Sequence, residues 1–365
     1  MIRILHIVTY MGRGGLETML MNYYRHMDRS KIQFDFLVHR DFRADYDDEI
    51  ESLGGRIYRL PRLVPWSPTY HRKLNHFFEE YPEYRIVHVH QDCLSAVFLK
   101  AAKKHGIPVR IAHSHNSNQD KNLKYFIKLY YRRLIPRYAT QMFACSQKAG
   151  EWMFRGAPYQ VLNNAIDARQ YRYNPQVAAH KRKELGIPDG SFVIGHVGRF
   201  EPQKNHQFIL ETFAAIQKKR HNAALLLVGD GSLRPEIESR ITALGLRGKV
   251  LLMGVREDVP ALLQAMDVFV FPSLYEGLPV TMMEAQASGL PCVVSDRVPS
   301  ECKKTELVTF LSLRAPAEEW AEQVLSAYRM KREDTCAQIA ASGFDIVENA
   351  KWLQNFYQEQ WKTQE

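Results

Sequence analysis

Short apolar runs alternate along the whole chain with longer stretches in which apolar residues recur every three or four positions. The short runs are typical of buried strands and the longer stretches of amphipathic helices. Strands are predicted at residues 2–8, 34–38, 86–90, 109–113, 141–144, 192–197, 224–228, 250–253, 268–271 and 291–295. Helices are predicted at residues 17–27, 94–105, 206–220, 234–244, 259–266 and 318–328. This alternation builds βαβ units, so the pattern predicts an α/β protein with parallel sheets.

The alternating series breaks once, at residues 171–175, before a fresh strand begins near residue 192. A chain of 365 residues is long for one domain and comfortable for two. We therefore predict an amino-terminal domain at residues 1–170 and a carboxy-terminal domain at residues 171–346. Because ligands of such folds bind at strand carboxyl ends and in domain clefts, candidate residues are sought there.

The composition, 45% hydrophobic and 24% charged, is that of a globular protein with full cores. Cysteines stand at positions 93, 145, 292, 302 and 336 without a CxxC pair, which suits a reducing compartment better than a disulfide framework. Residues 1–8 run into a glycine loop, unlike a signal peptide, and no apolar run approaches the roughly 18 residues of a membrane span. We therefore expect a cytoplasmic location.

The excess positive charge of the chain belongs to its first half. Residues 1–170 hold 26 basic and 16 acidic residues, a balance of +10, whereas the remainder has a balance of −1. The charge is densest between Lys121 and Arg137, in KNLKYFIKLYYRRLIPR. A basic, amphipathic stretch with aromatic residues is typical of a helix that binds a membrane surface or an anionic ligand. The alternative is a core-packed helix with a solvated basic face; nucleic acid is disfavoured because no binding motif accompanies the charge.

Two glutamates, Glu276 and Glu284, follow the apolar run at residues 268–271. The first lies in a Gly/Pro loop and the second in a stretch predicted to be helical, which places Glu276 at the carboxyl edge of a sheet. A carboxylate accepts hydrogen bonds only, so the hydroxyl groups of a sugar or ribose are suitable partners. The alternative is a capped helix with two solvated glutamates.

Two glycine loops could approach phosphate groups. The first contains Gly14 and Gly15 after the first predicted strand, but Glu17 stands where a dinucleotide fingerprint needs glycine, and there is no Walker P-loop. It is either a phosphate-approaching loop or an ordinary βα turn. The second presents Arg199 and Lys204 before a predicted helix, as a diphosphate site would. No acidic pair for a divalent ion lies beside it, so cations and a helix dipole would take the place of a metal.

Two His-x-His segments end predicted strands: His88 with His90, and His113 with His115. Strand alternation puts both histidines of a pair on one side of the sheet. Imidazoles suit zinc and iron, so a metal site is one interpretation. Histidines at the edge of a cleft and buried structural histidines are the others.

Together with these motifs, several further segments carry a resemblance to a known family: residues 228–231, 254–259, 272–273 and 287–291, and the run Asn163-Asn164-Ala165-Ile166-Asp167. The chain resembles glycosyltransferase family 4 over essentially its whole length, most of all the bacterial extracellular and capsular polysaccharide enzymes. It departs from the family at Ala165, where glycine is usual. It departs again at residues 295–301, which replace a Gly-Gly-x-x-Glu segment.

The resemblance implies two Rossmann-like domains facing across a cleft, the GT-B type, with a last helix at about 347–365 crossing back to the first domain. It implies that Arg199 and Lys204 hold the donor diphosphate. The remaining implied donor contacts are Glu284 to ribose, Glu276 with Gly277 and Leu278 to the sugar, Val255 and Arg256 to the base, and Gly14 and Gly15 to the diphosphate. His115 would contact the transferred sugar, with His113 as the alternative. Glu276, His115, Arg199 and Lys204 are the implied catalytic residues.

The expected function is transfer of a hexose or N-acetylhexosamine to a lipid-linked saccharide in surface polysaccharide synthesis, with a UDP-sugar as the expected donor. The family retains anomeric configuration and uses no metal, so neither metal nor cofactor is expected. The basic first half favours an anionic membrane surface as a further partner, which predicts a peripheral protein at the inner face of the cell membrane. The alternatives are a nucleotide-sugar epimerase of the same architecture, a histidine-dependent metal hydrolase and a catalytically silent sugar-nucleotide-binding protein.

Overall fold

The computed structural model describes residues 1–116, 125–330 and 332–363. The chain divides into two compact units, one made of Met1–Ala165 and Ile346–Glu365, the other of Ile166–Asp345. The sequence predicted the division after residue 170. In the structure Ile166 forms a parallel bridge with Asp345, and residues 166–170 belong to the second unit. The first part of the predicted basic stretch, Lys121–Lys124, lies outside the described residues.

The first unit is built on a parallel sheet of seven strands in the order β3-β2-β1-β4-β5-β6-β7. The strands are β1 (Ile2–Ile7), β2 (Ile32–Val38), β3 (Ile57–Arg59), β4 (Ile86–Val89), β5 (Val109–Ser114), β6 (Gln141–Ala144) and β7 (Gln160–Val161). The helices are α1 (Gly15–His26), α2 (Asp47–Ser52), α3 (Pro68–Glu80), α4 (Ser95–Lys104), α5 (Tyr125–Tyr138), α6 (Gln147–Phe154) and, from the end of the chain, α14 (Ile346–Lys362).

The second unit is built on a parallel sheet of six strands in the order β10-β9-β8-β11-β12-β13. The strands are β8 (Phe192–Val197), β9 (Ala223–Val228), β10 (Val250–Leu252), β11 (Val268–Phe271), β12 (Cys292–Ser295) and β13 (Val308–Leu311). The helices are α7 (Pro175–Glu184), α8 (His206–Lys219), α9 (Arg234–Ala243), α10 (Val259–Ala265), α11 (Val280–Ala287), α12 (Ala317–Ala327) and α13 (Cys336–Ile339).

Both sheets have the strand order of the Rossmann fold, so the predicted fold class of two Rossmann-like α/β domains is confirmed. In each sheet the order reverses beside the first strand, between β1 and β4 and between β8 and β11. Open α/β sheets bind their ligands outside the carboxyl ends of the strands at this reversal. Gly14 and Gly15 follow β1, Arg199 and Lys204 follow β8, and Glu276 follows β11, so these candidate residues leave strands at the reversals.

The central strands are buried on both faces, which explains why they appear in the sequence as continuous apolar runs. In the second unit, Trp320 of α12 packs in one core with Phe192, Phe200 and Phe213. In the first unit, Phe356 of α14 packs edge-on against Phe143 of β6. The strands absent from the prediction, β3, β7 and β13, lie toward or at sheet edges and are short.

Candidate active site

Glycine-containing loops after β8, β9 and β10 are joined by backbone contacts in the second unit. The Gly198 N–H donates to the carbonyl of Val228 at 2.9 Å, and the Gly229 N–H donates to that of Gly254 at 2.8 Å. Gly229 has φ +133°, and a Cβ there would overlap the carbonyl oxygen of Gly198. Only glycine fits this close approach, so the backbone fixes where the residues after Gly198 lie.

Lys204 and Glu276 form an ion pair beside these loops. The Lys204 Nζ lies 2.6 Å from the Glu276 Oε1, and the two side chains are 15% and 8% exposed. The ammonium also lies 4.7 Å from the ring centroid of Phe271. A Cβ at Gly198 would lie 3.3 Å from the Cδ and Cε of Lys204, so glycine leaves room for the lysine stem. An ammonium has three donors, so Lys204 can bind an anion while it remains paired with Glu276.

The loop that carries Glu276 is held against the segment that carries Lys204. The Leu274 N–H donates to the carbonyl of Gln203 at 2.8 Å, and the Gln203 side chain donates to the carbonyl of Tyr275 at 2.7 Å. Asn205, in the left-handed region at φ +57°, donates from its side chain to the carbonyl of Pro272 at 3.3 Å. These bonds connect the carboxyl ends of β8 and β11 and position both partners of the ion pair.

Arg199 differs from Lys204 in its surroundings. It is exposed, and no residue in the described part of the chain forms an ion pair or side-chain hydrogen bond with its guanidinium. The predicted base contacts, Val255 and Arg256, follow β10. Val255 is 49% exposed, whereas Arg256 donates from Nε and Nη2 to both carboxylate oxygens of Asp258 at 2.7 and 2.8 Å. The guanidinium of Arg256 therefore stabilises its own loop through Asp258, two residues later.

Glu284 is buried within α11. It is 4% exposed, and its Oε1 accepts a hydrogen bond of 2.8 Å from the hydroxyl of Tyr171. Burial raises the pKa of Glu284 to about 7, although the bond from Tyr171 acts in the opposite direction. Gly277 and Leu278 are also buried and precede Pro279, which occupies the N-cap position of α11. Lys204 and Glu276 are thus in direct contact, while Glu284 is bonded to Tyr171.

In the first unit, Gly14 and Gly15 form the turn into α1, and Gly14 is the N-cap residue. A Cβ at Gly14 would overlap the carboxylate of Glu17, whereas nothing lies within 4 Å of a Cβ built at Gly15. The residue that breaks the dinucleotide fingerprint is therefore buried against Gly14. The open surface of the turn is at Gly15.

A buried network of five histidines occupies the carboxyl end of the same sheet. One hydrogen-bonded chain joins His6 Nδ1 to His90 Nε2 at 3.1 Å, and His90 Nδ1 to His115 Nε2 at 2.9 Å. These three residues come from β1 and from the ends of β4 and β5. His115 alone among them is partly exposed, since His6 and His90 are buried.

A second chain joins His113 Nδ1 to His88 Nε2 at 3.2 Å, and His88 Nδ1 to the hydroxyl of Tyr357 on α14 at 2.7 Å. His113 is 2% exposed, and its Nε2 has no hydrogen-bond partner among the described residues. The two histidines that the sequence left as alternatives therefore differ in access: His115 is partly exposed, and His113 is enclosed.

Burial lowers the pKa of every histidine in the network. The pKa falls to about 3 for His6 and for His115, and well below 6.5 for His88, His90 and His113. Desolvation is the main cause, because a buried imidazolium loses its hydration. All five rings are therefore neutral at physiological pH.

Neutral imidazoles are also metal ligands, and the described residues include two suitable groups of three. Ligand atoms lie within 4.8 Å of one another in the group of His6, His88 and His90 and in the group of His90, His113 and His115. The nitrogens that join His6, His90 and His115 already bond to each other, so a metal would have to replace hydrogen bonds. The absence of a metal from the reaction remains a prediction.

Sequence reasoning missed His6, Tyr171 and Tyr357. His6 pairs in register with His88, so comparison of neighbouring predicted strands could have found it. The two tyrosines carry no motif, and they reach Glu284 and His88 only through the tertiary fold.

The fold and these motifs define a glycosyltransferase with two Rossmann-like domains. Family models match the chain as Glycosyltransferase Family 4 over residues 13–170 and as Glycosyl transferases group 1 over residues 191–330. EpsF of Bacillus subtilis (strain 168), named as a glycosyltransferase, is 40% identical over 97% of this chain and 96% of its own length. The chain therefore belongs to glycosyltransferase family 4, and the resemblance found in the sequence is confirmed.

Two further relatives are informative. An Escherichia coli protein named UDP-Gal:alpha-D-GlcNAc-diphosphoundecaprenol alpha-1,3-galactosyltransferase is 28% identical over 75% of each chain. HepE of Anabaena, solved in complex with UDP-glucose, has a TM-score of 0.81 at 19% identity, covering 98% of this chain and 100% of its own. At that identity the similarity to HepE shows the fold.

Among the residues that the structure describes, no helix has the length and apolar character needed to span a membrane.

Proposed function

We propose that the enzyme transfers a hexose or N-acetylhexosamine from a UDP-sugar to a lipid-linked saccharide, with retention of anomeric configuration, in surface polysaccharide synthesis. The observation that carries the proposal is the Lys204–Glu276 pair at the β8/β11 strand reversal. It provides a cation for a diphosphate and a carboxylate for sugar hydroxyls. The E. coli relative, by its name, uses UDP-galactose and a diphosphoundecaprenol-linked acceptor, and HepE was solved with UDP-glucose.

In this proposal Lys204 and the exposed Arg199 bind the donor diphosphate, and Glu276 with the backbone of Gly277 and Leu278 binds the sugar. The start of α11 favours anionic oxygens, because its first N–H groups lack partners within the helix. His115 contacts the transferred sugar. The route is a front-face displacement in which the leaving diphosphate helps to deprotonate the incoming hydroxyl, and fixed positive groups stabilise the leaving group.

Glu284 is the donor contact that fits least directly, since its carboxylate is buried against Tyr171. We propose that it keeps one oxygen on the Tyr171 hydroxyl and offers the other to a ribose hydroxyl. A carboxylate has about four acceptor sites on its two oxygens, so both bonds can coexist. The ribose bond would also offset part of the cost of burying this group.

Binding and transfer can be tested with Lys204→Ala. Loss of a charge-assisted hydrogen bond should weaken UDP binding by about 1.5–3 kcal/mol, or roughly 10- to 100-fold. Thermal shifts with UDP measure this binding. Release of UDP from a panel of UDP-sugars, with diphosphoundecaprenol-linked N-acetylglucosamine as acceptor, measures transfer.

Lys249→Ala is the matched control, because Lys249 is exposed and immediately precedes β10. It therefore lies at the amino ends of the strands of this sheet, whereas Lys204 follows the carboxyl end of β8. This variant should bind UDP as the unmodified protein does. Equal stabilisation of Lys204→Ala and Lys249→Ala by UDP would refute the site. Conversion of a UDP-sugar to its epimer without acceptor would favour the epimerase alternative.

We further propose that α5 binds an anionic membrane surface. Phe126 and Tyr130 of this helix are 78% and 61% exposed, and Arg133 and Arg137 are exposed on the same helix. The loop before α3 adds Trp66, 63% exposed, next to a proline whose carbonyl accepts a bond from Tyr131 of α5 at 3.1 Å. Aromatic and basic side chains together suit the interface of an anionic bilayer.

Vesicle sedimentation at low salt tests this surface, with phosphatidylglycerol and phosphatidylcholine vesicles compared. Phe126→Ser with Arg133→Glu should lose binding to the anionic vesicles. Lys351→Glu, an exposed charge reversal on α14, should keep it. Equal binding by both variants would refute the surface and leave the transferase assignment intact.

A further inference from the structure

The chain of imidazoles that runs from His6 through His90 to His115 has a direction. A neutral imidazole carries one N–H and one acceptor nitrogen, so every ring in a chain donates on one side and accepts on the other. Both nitrogens of His90 are engaged, Nε2 with His6 and Nδ1 with His115. The chain therefore has two arrangements, one with all its protons directed toward His115 and one with all directed toward His6.

The inner end of the chain distinguishes these arrangements. His6 Nε2 is buried without a hydrogen-bond partner among the described residues. The His6 ring packs against those of Phe34 and Phe36, with centroids at 4.2 and 5.6 Å, which carry no acceptor oxygen or nitrogen. The ring of His88 lies 5.2 Å away, but both of its nitrogens are already bonded, to His113 and to Tyr357. Protons directed inward would leave an N–H at this position, whereas protons directed outward would leave a lone pair. Buried N–H groups without an acceptor are rarer in proteins than acceptors without a donor, which favours the outward direction.

We infer that the chain fixes His115 as its Nδ1–H tautomer, so that His115 presents a hydrogen-bond donor at the carboxyl edge of β5. In this arrangement His6 Nδ1–H donates to His90 Nε2, and His90 Nδ1–H donates to His115 Nε2. His90 and His6 are then positioning residues that act on a ligand through His115. The ligand partner is an acceptor, and under the proposed transferase function, on which this last step rests, it is a hydroxyl oxygen of the transferred sugar.

The second chain does not end at a partly exposed histidine. It ends at His113 Nε2, which is buried and without a partner in the described part of the chain. His88 stands two residues before His90 and its ring stacks on that of His90 at 4.3 Å, yet its own bonds go to His113 and Tyr357. His88 is therefore a matched control of the same residue type in the same network.

Tautomers are measured directly by ¹⁵N NMR of protein labelled at histidine, with His115 assigned by its loss in His115→Gln. The expected result is a protonated Nδ1 and an unprotonated Nε2 at His115. In His90→Leu the Nε2 of His115 loses its donor, and the Nδ1–H tautomer should no longer dominate. His90→Asn should restore it, because the Asn amide can donate from the position of the lost Nδ1. His88→Asn should leave the His115 signals unchanged.

Transfer kinetics give the second readout. His90→Leu should lower kcat by about 10- to 100-fold, by analogy with loss of the outer-shell partners that orient metal-ligating histidines, and His90→Asn should recover most of it. A protonated Nε2 at His115 in the unmodified protein would overturn the inference, whatever the activity. An unchanged His115 tautomer in His90→Leu would overturn it as well. If the Nδ1–H tautomer is found but no UDP-sugar supports transfer, the proposed function fails and the tautomer assignment stands.

Discussion

Replacing Glu284 with glutamine should stabilise the second unit at pH 8 and have little effect at pH 4.5. Burial raises the pKa of this carboxyl from 4.5 to about 7. Between these values the folded state holds a proton that the unfolded state has released, so the free energy of unfolding falls as pH rises through this window. Above pH 7 the carboxyl is ionised in both states, and the free energy of unfolding has lost about 3 kcal/mol, at 1.36 kcal/mol per unit of pKa shift. Glutamine carries no charge and keeps an acceptor for the Tyr171 hydroxyl.

Calorimetry at pH 4.5 and pH 8 measures this difference, and hydrogen exchange of α11 peptides assigns the transition to the second unit. A gain of 3 kcal/mol should raise the Tm at pH 8 by about 6–12 °C, at about 2–4 °C per kcal/mol for a domain of this size. If Glu284 also binds ribose, the same variant should bind UDP more weakly. Function would then have retained a destabilising charge.

Tyr171→Phe is the matched control. It removes the donor that stabilises the Glu284 carboxylate, so it should destabilise the unit at pH 8 by about 1.5–3 kcal/mol and less in acid. A difference between Glu284→Gln and the unmodified protein that is the same at both pH values would refute the reasoning. Such a result would mean that the pKa of Glu284 in the folded protein is close to its ordinary value, because water or another partner stabilises the carboxylate.

Three further predictions concern the loops, the ion pair and the metal. Gly229→Ala should lower the free energy of unfolding by more than about 2 kcal/mol, because a Cβ would overlap the Gly198 carbonyl. Gly245→Ala is the control: Gly245 has φ +68° and nothing within 4 Å of an added Cβ, so only backbone strain of about 1–2 kcal/mol is expected. Thermal unfolding of both variants measures the difference. Lys204→Met should abolish transfer and also lower the Tm, since it leaves the buried Glu276 without its cation; a normal Tm would contradict the pairing. EDTA should leave the transfer rate unchanged, and a loss that Zn²⁺ restores would instead assign a metal role to the histidine network.

Much of the fold was accessible from the sequence because its central strands are buried on both faces and appear as unbroken apolar runs. Strands β3 and β7 escaped prediction because they contain only three and two residues and neither has a buried residue. The domain division was placed after residue 170 because the alternation of predicted strands and helices breaks at residues 171–175. In the structure, Tyr171 in that segment is bonded to Glu284 of the second unit.

The candidate site was accessible in part, since spacing relative to strands predicted the loops that carry Arg199, Lys204 and Glu276. Sequence spacing could not show that Lys204 and Glu276 bond to each other, because 72 positions separate them. It also could not show that Glu284 is buried, because the sequence of the helix does not tell whether a glutamate in it faces solvent or a tyrosine. His6 was missed because a single histidine in an apolar strand has no spacing signal of its own, and only its register with His88 of β4 marks it.

The last helix has a consequence for how the protein is made. Because α14 belongs to the first unit, residues 166–345 form an insertion within it, and the ribosome completes the second unit before the first. Until α14 emerges, Phe143 and His88 lack the side chains of Phe356 and Tyr357 that pack on them. A premature stop codon near residue 345 would therefore release a chain whose second unit is whole and whose first unit exposes part of its core to chaperones and proteases.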